Sequence, residues 1–102
     1  MSYELLVTTE ISDAKEYTTY RKKMLPLLNQ FGGGFRVDFV VSDVLTESLN
    51  QNINRVFVIY FPDKQHSEQF FNHPTYLEIK AMHFDASVTE ISIVSAYQAV
   101  QS

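Results

Sequence analysis

Two side chains in this sequence of 102 residues have the type and setting for proton transfer, His83 and Asp38. His83 closes the second helical region, next to Phe84 and Asp85. An imidazole titrating near neutrality is the natural general acid–base group or haem ligand. The competing reading is a histidine that is exposed, or hydrogen-bonded locally at a helix end. Asp38 stands on a strand expected to be covered on both faces, where an unpaired charge is expensive. It therefore lies at a sheet edge, pairs with a cation such as Arg36 or Arg55, or faces a polar cavity. Strand alternation groups Asp38 with Arg36 and Val40, opposite Phe35, Val37 and Phe39.

Around this pair, Tyr17, Tyr20, Tyr60 and Tyr76 have hydroxyls suited to orienting a small apolar, aromatic or enolic ligand. The alternative is a core stripe whose O–H groups are satisfied internally. Arg36 and Arg55 suit a carboxylate on that ligand, or surface pairs at strand ends. Other chemistries find no support. His66, His73 and His83 are separated by seven and ten residues, which matches no compact metal-ligand motif, so no metal is expected. With no cysteine there is no thiolate chemistry and no disulfide. Nucleophile-elbow and phosphate-loop motifs are missing, and the Gly32-Gly33-Gly34 run ends a helix instead of opening one. No cofactor is expected.

Charge narrows the partners. The net charge is −4 and the basic residues are scattered, which argues against nucleic acid. The one tight group, Arg21-Lys22-Lys23, reads as a solvated helix face. No apolar run approaches the ~18 residues of a membrane span, and the first residues lack the pattern of a secretory leader. Neither nucleic acid nor membrane is an expected partner, and the expected location is cytoplasmic.

The elements that must hold these residues follow from periodicity. Residues 3–9 alternate as a strand. Asp13 with Glu16 resembles a capping box for a helix whose apolar face carries Tyr17, Tyr20, Met24, Leu27, Leu28 and Phe31. Pro26 lies inside that helix and predicts a kink or break. The glycines stop it, and residues 35–41 read as the second strand. A polar hairpin connection covers residues 42–54, with ragged strand extensions near Val44-Leu45. Residues 55–61 are apolar on both faces, the pattern of a central strand covered on both sides. Asp63 caps a helix with Phe70 and Phe71, His73-Pro74 interrupts it, and a short helix with Tyr76 follows. Residues 89–97 form the last strand, with Ile91, Ile93, Ser95 and Tyr97 on one face.

The order βαββαβ predicts a single α+β domain over residues 1–102. It is ferredoxin-like, a four-stranded antiparallel sheet with helices on one face and the first and third strands central. One helix layer leaves the other sheet face bare, and a second subunit is the economical cover. RNA-recognition domains share this order, but the third strand lacks their Lys/Arg-Gly-aromatic pattern.

At this point the residues are similar to a known family. Tyr17-x-x-Tyr20, a helix closing on Phe31-Gly32-Gly33, a strand opening at Phe35, Phe61-Pro62 after a strand, and Phe70-Phe71 followed by Pro74-x-Tyr76 resemble the DUF1330 family across roughly residues 3–97. The resemblance implies a dimeric α+β barrel, two ferredoxin-like sheets packed face to face with helices outside. The family is of unknown function. Its wider fold relatives include small monooxygenases, muconolactone-type isomerases, haem-degrading enzymes and plain binding proteins. The haem-degrading mechanism employs a Trp, which this chain lacks. Many members carry Arg and paired Gly where this chain has Asp38-Phe39-Val40, and Arg where it has His83, which turns attention to Asp38 and His83 in this branch. Two functions are expected to compete. One is a homodimer with a small-molecule pocket between sheet and helices, with monooxygenase- or isomerase-like chemistry at His83 and Asp38 and ligand contacts from Tyr17, Tyr20, Arg36, Tyr60 and Tyr76. The other is a non-catalytic dimeric module.

Overall fold

The computed structural model describes residues 1–48 and 51–100. Its elements are β1 (Ser2–Ile11), α1 (Ala14–Gln30), β2 (Gly34–Val40), β3 (Arg55–Phe61), α2 (Lys64–Phe71) and α3 (Pro74–Ile79). A π-helical turn (Lys80–Phe84), α4 (Asp85–Ser87) and β4 (Val88–Ala99) complete the chain. The strands form one antiparallel sheet in the order β2-β3-β1-β4. This is the ferredoxin-like arrangement, and β3, the most apolar strand, lies in its centre beside β1.

One face of the sheet carries the helices. Leu5, Val7, Phe57, Ile59 and Phe61 project from β1 and β3 into a core completed by Tyr17, Tyr20, Met24 and Leu28 of α1, with Phe70, Tyr76 and Phe84 behind them. Asp13 caps α1 by accepting the Glu16 N–H at 3.1 Å. The break suggested by Pro26 does not occur, and α1 runs through it. Pro26 and Lys22 are both exposed, so water can take the Lys22 carbonyl that loses its helical partner.

The helix stop is a Schellman motif. Gly33 N–H donates to Leu28 O at 3.0 Å and Gly32 N–H to Asn29 O at 3.0 Å, with Gly32 at φ 75°. A Cβ on Gly33 would stand 2.7 Å from the Tyr60 carbonyl oxygen, so this turn packs directly on β3.

Between β2 and β3 no strand extension forms at Val44-Leu45, which are exposed and have no strand beside them. Leu49 and Asn50 of this predicted connection lie outside the described residues. Asn54 anchors its end instead, accepting the Ile11 N–H and donating to the Ile11 carbonyl, each at 2.8 Å.

Three irregularities in strand pairing decide which way the side chains face. In β2, Phe35 pairs with Ile59 but Val37 pairs with Val58, so Arg36 is an inserted residue. Phe35 and Asp38 therefore share the helix face, while Val37 and Phe39 face away from the helices. This corrects the alternation expected from sequence, which set Asp38 beside Arg36 and opposite Phe35. A bulge moves every later side chain to the other face. In β4, Val94 is inserted between the Val7–Ile93 and Leu6–Ser95 pairs, and a further shift falls between Glu10 and Ile11. Ile91 and Ile93 consequently face the helices, and Tyr97 faces away from them.

Candidate functional site

The helices cover β1 and β3 but stop short of β4. Ile93 projects from β4 toward the helix layer and is 61% exposed. The gap is a cavity of about 710 Å³ between the sheet and α1, α2 and α3. Its walls are mostly apolar, with Leu5, Val7, Met24, Ile59 and Phe84 among them. This size suits a small organic molecule.

Its buried polar wall is built around α1 and α3, with exposed polar residues at the rim. Tyr17, Tyr20 and Arg21 line the cavity, and so does Tyr76 of α3. The Tyr20 and Tyr76 hydroxyls are 2.9 Å apart, and the Tyr20 ring meets Phe84 edge-on at 5.1 Å. Burial raises the phenol pKa of Tyr17, Tyr20 and Tyr76 above its ordinary value, most strongly for Tyr20. All three phenols keep their protons at neutral pH.

Arg21 is a charged lining residue with only 15% of its side chain exposed. Its Nε donates to the Tyr17 hydroxyl at 2.9 Å and its Nη1 to Asp38 Oδ2 at 3.1 Å. The guanidinium carbon lies 3.8 Å from the Phe35 ring centroid and 4.7 Å from that of Phe57. Arg55 grips the same carboxylate, Nε to Oδ1 at 2.9 Å and Nη2 to Oδ2 at 2.8 Å. Burial pushes the Asp38 pKa up, but the Arg55 and Arg21 guanidiniums outweigh it and hold it below its ordinary value. Asp38 is thus an ion-pair centre at the sheet edge, behind Arg21 and not on the cavity wall.

The other predicted residues lie elsewhere. His83 does not line the cavity. It is buried in the π-helical turn, with Nδ1 2.5 Å from Glu16 Oε1. Its carbonyl accepts the Ser87 hydroxyl at 2.8 Å. The Nε2 atom is buried and has no partner among the described residues. Arg36 and Tyr60 sit on the sheet face away from the helices, the Arg36 guanidinium 4.0 Å from the Tyr60 ring centroid. The structure therefore brings Tyr17, Tyr20 and Tyr76 together and leaves His83, Asp38, Arg36 and Tyr60 off the cavity wall.

A second polar cluster occupies that far face. Glu4, at the middle of the sheet, is 6% exposed. Its Oε2 accepts from Ser2 Oγ at 2.9 Å and Arg36 Nε at 3.1 Å, and its Oε1 from the Tyr97 hydroxyl at 3.0 Å. Burial alone would raise the Glu4 pKa, but these hydrogen bonds and the Arg36 charge bring it below the ordinary value.

Sequence reasoning missed Arg21 and Glu4. The run Arg21-Lys22-Lys23 reads as a solvated face, yet only the two lysines are exposed. The overlooked signal was its place one helical turn after Tyr17, on the stripe that Tyr17, Tyr20 and Met24 define. For Glu4 the signal was an acid inside a central strand, beside Leu5, Leu6 and Val7.

Residues 3–97 match the model of DUF1330, a domain of unknown function. The sequence has no match among curated proteins. Among solved structures, a protein of unknown function from Rhodopseudomonas palustris, RPA0582, is similar at TM-score 0.83 and 15% identity, over 99% of this chain and 84% of that one. A dabb family protein with a ferredoxin-like fold from Mesorhizobium loti is similar at TM-score 0.69 and 14% identity, over 98% of each chain. SnoaB, a cofactor-independent oxygenase from Streptomyces nogalater, is similar at TM-score 0.64 and 14% identity, over 99% of this chain and 95% of that one. At these identities the likeness is one of fold.

Proposed function

For a chain that belongs to the DUF1330 family, a domain of unknown function, we propose a small-molecule-binding role centred on the cavity between sheet and helices. The observation that carries this reading is the cavity itself, about 710 Å³ with largely apolar walls and Tyr17, Tyr20, Tyr76 and Arg21 among its lining residues. Apolar walls with a few placed polar groups are what a small-molecule site requires. The ligand enters beside β4, where Ile91, Ile93 and Ala96 leave the wall incomplete.

Catalysis of the kind named for SnoaB has weaker support here. Asp38 and His83, the residues expected to move protons, do not meet and neither lines the cavity. In the binding reading both are positioning residues. Asp38 holds the Arg21 fork, and His83 ties the π-helical turn to α1 through Glu16.

The proposal extends to assembly. The sheet face away from the helices exposes Val37 and Phe39 on β2, with Tyr97 on β4 at the opposite edge. A second copy of the chain is the proposed cover, giving a homodimer. Light scattering with sizing at micromolar concentration then yields twice the chain mass, and Phe39→Asp returns the monomer.

Ligand binding raises the melting temperature of the native state, so a thermal-shift screen of small aromatic compounds tests the site. The expected hits lose their shift in Ala96→Trp, which fills the cavity from an exposed strand position. Hits indifferent to that substitution would place binding elsewhere and refute the reading.

A further inference from the structure

The charges around Arg21 do not balance. Two guanidiniums, Arg21 and Arg55, share the single carboxylate of Asp38. The Arg55 side chain is a quarter exposed, and water answers part of its charge. Arg21 is only 15% exposed and is walled by the Phe35, Phe57 and Tyr17 rings. Its Nη2 is buried with no hydrogen-bond partner among the described residues. A charged donor left unpaired in an apolar wall is costly, and a ligand that supplies the missing acceptor recovers that cost.

We propose that the cavity takes a planar aromatic monoanion, its negatively charged oxygen seated between Arg21 Nη2 and the Tyr17 hydroxyl. This rests on the binding reading above and adds the ligand's charge. The Tyr17 oxygen accepts from Arg21 Nε, and its own proton remains to be donated to the ligand. An oxyanion is the group that accepts from both. Nη2 has no surface open to water, so contact requires a small shift of the Arg21 fork, for which the adjoining cavity leaves room.

The rest of the ligand follows from the wall. Met24, Phe57, Ile59 and Phe84 favour an aromatic body. The remaining charges on the lining, Lys64, Glu68, Lys80, Asp85 and Glu90, lie toward solvent and are screened there. Lys80 and Asp85 also neutralise each other at 2.9 Å. The chain carries a net charge of −4, so general attraction does not draw an anion in. Selectivity for one has to come from Arg21.

The test measures binding of 2-naphthoate and its neutral isostere 2-naphthamide by titration calorimetry on the intact chain. The wild type should prefer the carboxylate by about tenfold or more, the scale of one hydrogen bond to a charged group. Arg21→Gln should abolish the preference while keeping amide binding. Asp38→Asn keeps an acceptor for the Arg21 fork and removes the competing negative charge, so it should raise the ratio of naphthoate to naphthamide affinity. That second variant decides the matter if Arg21→Gln does not fold. Equal binding of the two probes to the wild type overturns the anion assignment and leaves the cavity reading standing. Binding of neither probe overturns both, and a preference unchanged in the variants removes Arg21 from the account.

Discussion

The two faces of the sheet each hold an arginine–carboxylate cluster, and the clusters are built differently. On the face away from the helices, one guanidinium meets one carboxylate, and Ser2 and Tyr97 fill the remaining acceptor sites of Glu4. That cluster is closed. On the helix face two guanidiniums divide one carboxylate, and Arg21 keeps an unused nitrogen beside a cavity. That cluster is one acceptor short. A saturated buried cluster fixes structure, whereas an unsaturated one beside empty space is equipped to hold something else. Burial or charge alone does not separate structural from functional polar residues. The hydrogen-bond inventory does.

This contrast can be broken from either side. The largest effect belongs to Glu4→Ala, which strips the closed cluster of its shared acceptor and leaves Ser2, Tyr97 and Arg36 without it. Removing one partner of a buried pair costs several kcal/mol, and re-solvation of the partly exposed Arg36 brings the expectation to about 3 kcal/mol, read by urea unfolding. Asp38→Ala should cost less, about 1 to 2 kcal/mol, because its side chain is 27% exposed and water can replace it. If the two losses are equal, or their order reverses, the closed-against-open distinction fails. Tyr20→Phe removes one neutral hydrogen bond to Tyr76 and should cost about 1 kcal/mol in the same assay.

Acid provides a finer test. Both carboxyls titrate below their ordinary values in the fold. Their stabilisation is therefore fully present above the unfolded carboxyl range, near about pH 4, and is lost as pH falls through the folded values. Glu4→Gln should flatten the acid limb of the stability profile more than Asp38→Asn does, because Glu4 is the more deeply buried of the two. An acid limb unchanged in Glu4→Gln would show that the closed cluster is not what acid dissolves.

Most of the fold was legible in the sequence, because it is encoded by local rules. The glycine run, the Asp13 and Asp63 caps and the central position of the apolar β3 each had a physical reading that the structure bears out. The site was less legible, because bulges decide the orientation of strand residues. The insertion at Arg36 puts Asp38 on the helix face and Arg36 on the other, and no feature of residues 34–40 announces it. The same holds for Val94, which separates Tyr97 from Ile91 and Ile93. Arg21 was legible in principle, from its helical phase with Tyr17, but its two lysine neighbours obscured it. His83 stands out by its chemistry, but its partner Glu16 lies 67 residues earlier in the chain, beyond the reach of local pattern.

The central claim is that the two faces have different tasks, ligand on the helix side and structure on the other. The most direct measurement is methyl NMR during titration with 2-naphthoate. The account predicts shifts at Leu5, Val7, Met24, Ile59 and Ile93, which line the cavity, with Leu6, Val37, Val56 and Val58 on the far face unmoved. Shifts confined to the far-face methyls, or no shift at either set, would contradict it.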